Sequence, residues 1–396
     1  MGGIEKEFLQ GEKILVSSLA EKPHQFGALK ELLENYFPKG APVSSKNRLE
    51  DEFALLLNPA NHKRILFIED SQGKVAATAG YFPFDFSLLP RAPFLKTAGL
   101  GLFVTRPEYQ RQGLGYKLEK EIEKRAQMEG IWIGVLWSEL VQFYTKLGYM
   151  VAGSEWQWQL DRAETELLVS RLKAESPSEN TEIKPLKDFS QVENLYKGFG
   201  RGPLRNSTQK QAFNSLLGLS NTYAYTAMDS QKGTLLGYGI LGKGRDLRDT
   251  IHELVGYPQS IPPLLQKFAT HIESGLRLHQ PLGSPLLSEI THWLGNGSRQ
   301  AMGFIKVLDG PKLADWISKS GYLPPGIGLV AEENRFRLLN RHTVFFESSD
   351  FGHLCQLFFG PWEISELEGL PPTFTPDQIS TLPKPLPLYF WGFDSV

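Results

Sequence analysis

Cysteine is almost absent: the 396 residues contain one, Cys355. A single thiol excludes an internal disulfide and any cysteine-based metal cluster. The eight histidines never fall at His-x-x-x-His or His-Glu-x-x-His spacing, so no catalytic metal is expected. An excess of one charge is also missing. Lys and Arg number 42 against 44 Asp and Glu, a formal net charge of −2, which gives no electrostatic case for a nucleic-acid partner. No apolar run reaches the ~20 residues of a membrane span, so no membrane partner is expected. The opening MGGIEKEFLQGEK is charged and lacks the apolar centre of a secretory signal. Lys6 stands where a myristoylated N-terminus would carry Ser or Thr. The expected compartment is the cytoplasm, and the sequons at Asn206 and Asn296 then count as chance matches.

What is present belongs to an ordinary globular protein, with 41% hydrophobic and 22% charged residues. At ~100–200 residues per domain the length allows two or three domains. The first segment reads as a strand at Ile14–Ser18 and a helix at Phe26–Phe37 with apolar Leu29, Leu32, Leu33 and Phe37. Two β-rich runs follow around Asp70–Gly73, then a strand at Gly99–Val104 and a helix with Leu114, Leu118 and Ile122 on one stripe. Ile131–Trp137 reads as a buried strand, Glu139–Tyr149 as a helix ended by Gly148, and Met150–Leu160 as one final strand. Lys173–Thr181 reads as a linker. After it the order repeats, with a helix near Val192–Phe199, a hairpin over Thr222–Gly244, a strand at Ile251–Gly256 and a helix from Ile261. This is the pattern of a duplicated unit. A third segment holds GFIKVL, the helix PKLADWISKS, two short strands and the apolar helix HLCQLFF, where Cys355 is expected in a core. The tail is proline-rich and ends in LYFWGFDSV, which suits a segment that docks in a core. The basic loops GRGPLRNS and GKGRDLRD read as solvated, and His252-Glu253 as a packing or surface feature.

One junction calls for a chemical reading. In FVTRPEYQRQGLGYK a strand passes through a polar turn with two glycines into a helix. A helix N-terminus leaves about four N–H groups unpaired and carries roughly half a positive charge, so it suits an anion. Gly113 and Gly115 lack a Cβ, which lets a diphosphate approach the main chain, and Arg111 stands at the rim. The turn is neither a Walker A loop nor a G-x-G-x-x-G fingerprint. On these residues alone a plain tight turn and an anion cradle stand side by side.

The spacing Gln110-x-x-Gly113-x-Gly115, after a strand and opening a helix, resembles the acetyl-CoA pyrophosphate turn of the GNAT acetyltransferase superfamily. Ser138-Glu139 followed by Phe143-Tyr144-x-Lys146-Leu147-Gly148-Tyr149 is similar to the matching segment of the enhanced-intracellular-survival (Eis-type) acetyltransferases. The architecture of that family would span the whole chain, while the specific motifs lie within Phe103–Tyr149. The resemblance implies an α/β fold of mixed sheets: an active GNAT domain over residues 1–163, a degenerate GNAT copy over 164–295 and a sterol-carrier-like domain over 296–396 whose tail reaches the active site.

It also implies roles for residues. Pantetheine would lie along the main chain of Phe103, Val104 and Thr105. The pyrophosphate would sit on Gln110, Arg111, Gln112, Gly113, Leu114 and Gly115, with Ser138 and Tyr144 completing the cofactor site. Tyr144 matches the tyrosine that protonates the departing CoA thiolate. A phenol near ~10 against a thiol near ~8.5 makes that transfer uphill by roughly 2 kcal/mol, so Tyr144 serves equally well as a hydrogen-bond donor. The base for the amine is Glu139 or the terminal carboxylate of Val396, and a fourth-strand N–H would stabilise the oxyanion. The expected reaction is direct transfer from acetyl-CoA to a primary amine: a polyamine, an aminoglycoside-like molecule or a lysine side chain. The rivals are a non-catalytic CoA- or lipid-binding scaffold and transfer of a longer acyl group. A homo-oligomer, hexameric by family analogy, is the expected assembly.

Overall fold

The structure, a computed structural model, describes residues 14–36, 47–89, 92–175, 180–200, 202–360 and 382–395. Phe37 and Val396 therefore lie outside the described residues. The apolar runs of the first half become strands β1 (Val16–Ser18), β2 (Ile65–Glu69), β3 (Val75–Phe86), β4 (Leu95–Thr105), β5 (Ile133–Leu136) and β6 (Met150–Ala152). Among them lie helices α1 (Phe26–Tyr36), α2 (Leu49–Glu52), α3 (Leu114–Met128) and α4 (Val141–Lys146). Then come β7 (Glu155–Gln159) and α5 (Arg162–Glu175).

The second half repeats the order with β8 (Thr181–Pro185), β9 (Tyr223–Asp229), β10 (Leu235–Lys243), β11 (Asp246–Gly256), β12 (Arg277–Pro281) and β13 (Ser298–Gln300). Its helices are α6 (Glu193–Phe199), α7 (Ser207–Leu216), α8 (Ile261–Ala269) and α9 (Leu287–Leu294). The last part comprises β14 (Gly303–Val307), α10 (Gly310–Lys319), β15 (Ile327–Ala331), β16 (Phe336–Asn340), β17 (Thr343–Ser348) and α11 (Phe351–Phe359).

The two large sheets have the same plan. The first runs β1-β2-β3-β4-β5-β14-β6 and the second β8-β9-β10-β11-β12-β7-β13, seven strands each. In both, the fourth and fifth strands are parallel. The sixth strand comes from the other half. β7 follows β6 in the chain but pairs antiparallel with β12 and β13. β14 follows β13 but pairs antiparallel with β5 and β6. The halves have exchanged one strand each.

This corrects the reading of Met150–Leu160 as one strand. Gly153, at φ 79, breaks it where the two crossing connections meet. A Cβ on Gly153 would lie 2.7 Å from the Met302 Cβ on the return path, closer than side chains pack, so only glycine fits. The lines drawn at residues 163 and 295 accordingly do not follow sheet membership, since β7 precedes the first and β14 follows the second. The stretch read as a linker also begins inside α5, which runs to Glu175.

One face of the first sheet packs on α3 and α4 through Leu66, Leu100, Leu118, Ile122 and Tyr149. The opposite face belongs to the largest core, shared with α1, the second half and the tail. There Tyr389, Phe390, Trp391 and Phe393 are buried, and the Phe390 ring lies 5.1 Å from Phe84, 4.8 Å from Phe86 and 5.4 Å from Trp137. The antiparallel β15-β16-β17 sheet joins the same core through Leu329, Phe336, Leu338 and Phe346, beside Leu313 and Ile317 of α10. Cys355 is buried on α11, and burial pushes its thiol up to about 12.

Two basic loops are not simply solvated. Arg205 is buried and forks onto both Glu253 oxygens at 2.8 Å, and it also reaches Asp394 at 3.1 and 2.8 Å. The Tyr238 hydroxyl donates to Glu253 at 2.6 Å. The Arg205 guanidinium lies 4.2 Å from the Tyr196 ring centroid and 4.8 Å from that of Phe213. Lys243, also buried, donates to the carbonyls of Gly392 (3.0 Å) and Ser395 (2.7 Å), and Arg245 pairs with Glu52. These cations face acceptors up to 193 positions away in the chain, which local composition does not reveal.

Candidate functional site

The site starts with a gap in the first sheet. β4 pairs with β5 only from Thr97 to Gly99, although β4 continues to Thr105. Among the described residues the edge from Leu100 to Thr105 therefore has no strand partner on the β5 side. Leu102 has φ 58, a conformation that costs a non-glycine residue of order 1–3 kcal/mol. The β3–β4 register slips between Thr78 and Gly80, so Leu102 sits in a β-bulge that turns main chain out of the ladder. Val104 is buried and Phe103 and Thr105 are half-buried. Main-chain groups along this edge are thus open to a ligand on the β5 side.

At the C-terminal end of β4 the chain is clamped by buried Arg106, whose Nε donates to the Val75 carbonyl at 2.7 Å. The turn that follows places Arg111 at φ 62 and Gly113 at φ 79. Left-handed residues on either side of Gln112 give the alternation of backbone hand from which anion nests are built. The first bond into α3 is Lys117 N–H to the Gly113 carbonyl, 3.0 Å. Among the described residues no backbone acceptor meets the amides from Arg111 to Tyr116. Gln110 and Gln112 fold back on the loop: their side-chain amides donate to the Thr105 (3.3 Å) and Glu108 (3.1 Å) carbonyls and staple it. Gly115 is informative. Its backbone is helical, and a Cβ there would make an ordinary 3.6 Å contact with Phe143, so protein packing does not require glycine at this position.

Tyr144 lies on α4 beside this opening. Its ring meets Phe103 edge-on at 6.0 Å and touches Phe143 (5.0 Å), Tyr149 (5.7 Å) and Phe304 of β14 (5.8 Å). The hydroxyl has no hydrogen-bond partner among the described residues. Burial, and secondarily the charge of Glu119, push the phenol up to about 12. It therefore holds its proton at neutral pH. Ser138 Oγ accepts from Leu140 N–H at 3.1 Å and shapes the entry to α4. Glu139 is exposed and has no ion pair among the described residues.

Sequence reasoning missed the ion cluster behind Tyr144. Glu119 is buried on α3, and Lys306 of β14 reaches it at 3.2 Å and pairs with Glu123 as well. Burial, reinforced by Glu123, raises the Glu119 carboxyl to about 8. The one available signal was a lone lysine inside the apolar run GFIKVL.

The second half repeats the plan with different residues at both places. β11 and β12 pair at Thr250 and Ile251 only, so that gap exists too. Buried Gln280 fills it, donating to the Leu254 carbonyl at 3.2 Å while accepting from Ser284 at 2.8 Å. The helix that should present amides, α8, begins Ile261-Pro262-Pro263. Two prolines remove two of the N–H donors an anion would need.

Residues 24–152 match the family model described as an acetyltransferase (GNAT) domain. No curated protein matches the sequence. Among solved structures, the chain is similar to a GCN5-related N-acetyltransferase from Kribbella flavida at 16% identity and a TM-score of 0.64, over 96% of this chain and 99% of that one. A GCN5-related N-acetyltransferase from Anabaena variabilis ATCC 29413 matches at 15% identity and a TM-score of 0.66, with coverage of 96% and 99%. Eis1 from Mycobacterium abscessus matches at 12% identity and a TM-score of 0.60, with coverage of 96% and 98%. At such identities the likeness is one of fold: tandem GNAT-like units, with a third sheet region that fits an additional C-terminal domain.

Proposed function

We propose that the chain is an Eis-type enzyme that transfers acetyl from acetyl-CoA to a primary amine in a ternary complex. The observation that carries this reading is the juxtaposition of an unpaired β4 edge with free amides at the start of α3 and the Tyr144 ring against Phe103. The pyrophosphate takes the amides of Arg111 to Gly115, where the helix end favours negative charge. Pantetheine lies along the open main chain of Phe103, Val104 and Thr105. An N–H freed by the bulge at Leu102 meets the oxygen of the thioester as it becomes negative.

The amine nitrogen attacks the thioester carbon, the C–S bond breaks and CoA leaves as the thiolate. A phenol at about 12 against a thiol near ~8.5 lies about 5 kcal/mol from full proton transfer. Tyr144 thus acts by donating a hydrogen bond to sulfur. An alkylammonium near ~10.4 must lose its proton before attack. Exposed Glu139 is one acceptor for that proton. The terminal carboxylate of Val396 is the other, next to Ser395, whose carbonyl is held by Lys243. The family reading extends to a cytoplasmic homo-oligomer and to a sterol-carrier-like role for the β15–β17 region.

Thiol release from acetyl-CoA, assayed with polyamines, aminoglycosides and lysine peptides, tests the reading. Release that depends on an amine supports it. Acetyl-CoA binding without release under any acceptor overturns it in favour of a scaffold, and release confined to longer acyl donors reassigns the donor.

A further inference from the structure

The six residues of α4 are too few to form a stable helix unaided, yet they carry Tyr144. Leu147 and Tyr149 N–H both donate to the Tyr144 carbonyl at 3.0 Å, and Gly148, at φ 84, turns the chain between them. The Leu147 carbonyl at this turn accepts from the Lys306 ammonium of β14. The same ammonium donates to Glu119 at 3.2 Å and to Glu123. An ammonium has three donors, and all are engaged. A Cβ on Gly148 would sit 3.5 Å from Lys306 Cε, so the turn and the lysine are packed together. One side chain from the other half thus joins the helix of the free amides to the helix of Tyr144.

We propose that Lys306 is a positioning residue for Tyr144, fixing α4 against α3 so that the hydroxyl meets the sulfur of a CoA thioester. The inference rests on the acetyl-transfer reading. A role in stability alone is a weaker account, because replacing a buried ion cluster by well-packed apolar residues of similar volume is often neutral or stabilising. The cluster also faces Tyr144 electrically. Around Glu119 stand Glu123 and Lys120 of α3, Lys306 of β14, Tyr144 of α4, and Tyr149.

Three full-length variants test this: Lys306→Met, Lys306→Arg, and the neutral triple Lys306→Met/Glu119→Gln/Glu123→Gln, which leaves no unpaired buried charge if the single variant misfolds. Hydrogen exchange across residues 141–149 is expected to quicken about tenfold in Lys306→Met and in the triple, with residues 65–86 unchanged. In thiol release, kcat should fall about tenfold or more while KM for acetyl-CoA stays within about twofold, and Lys306→Arg should restore most of the rate. Unchanged exchange at 141–149 in a folded variant overturns the inference, as does full kcat or an equal loss in kcat and acetyl-CoA affinity. Failure of the wild type to release thiol strikes the acetyl-transfer reading instead, and the exchange result stands apart from it.

Discussion

Replacing Arg205 by methionine should be among the most damaging single changes in the molecule. The guanidinium makes four charge-assisted contacts of 2.8–3.1 Å to Glu253 and Asp394, and its side chain is 1% exposed. Burial raises the Asp394 carboxyl above the usual range, and Arg205, with a smaller contribution from Lys243, opposes the rise. Methionine would fill most of the volume but strand two carboxylates away from water. Removing one partner of a buried ion pair typically costs about 3–5 kcal/mol, against a total stability of about 5–15 kcal/mol. Asp394 follows Phe390, Trp391 and Phe393, so the loss should also loosen the tail. Urea denaturation should show the drop in midpoint, and limited proteolysis should cut the tail first. The triple variant Arg205→Met/Glu253→Gln/Asp394→Asn should be more stable than the single variant, since no charge then remains buried. A single variant within about 1 kcal/mol of the wild type would refute the argument, because it would place the cost no higher than that of an ordinary surface pair.

Gly115→Leu should leave stability within about 1 kcal/mol, glycine being a poor helix former, while acetyl-CoA affinity falls at least about tenfold in calorimetry; undiminished affinity rejects the cradle. Tyr144→Phe should lower kcat about tenfold with KM for acetyl-CoA nearly constant, and an unaltered rate removes Tyr144 from the mechanism. Glu155 is buried and its carboxyl is raised from 4.5 to about 7, chiefly by burial. The folded form binds the proton more tightly, so stability is full below pH ~4.5 and declines as pH rises to ~7, by about 3 kcal/mol. Glu155→Gln should flatten that decline in melts between pH 5 and 8, and an identical pH profile contradicts it. A fragment of residues 1–163 should fail to give a cooperative melt, and co-expression with 164–396 should restore one; a stable fragment would deny that β14 is needed.

Much of the leading half was legible because its signals are local. The β2–β3 hairpin, β4, the stripe of α3 and the turn before it each declare themselves within about ten residues. So did the loss of turn chemistry in the second copy, which the prolines of α8 explain. α7 escaped notice although Asn206 and Gln209 form a capping box, the pattern that marks a helix start; the arginines nearby suggested a loop. The exchanged strands could not be read, since β7 and β14 pair with partners chosen by the tertiary fold. Lys306 and Arg205 act through the same kind of distance: Arg205 meets Asp394 across 189 positions. The candidate site divides the same way. Gly113, Gly115 and Tyr144 belong to short motifs, whereas Glu119 became noticeable only once β14 stood beside α3.

The swap of β7 and β14 also sets a timetable during synthesis. The slot between β5 and β6 waits for a strand made some 150 residues later, a delay of roughly 8–30 s at ~5–20 residues per second. Throughout that interval the nascent chain carries open strand edges of the kind that recruit other chains. The leading unit is first to be translated, yet it cannot mature ahead of its sibling.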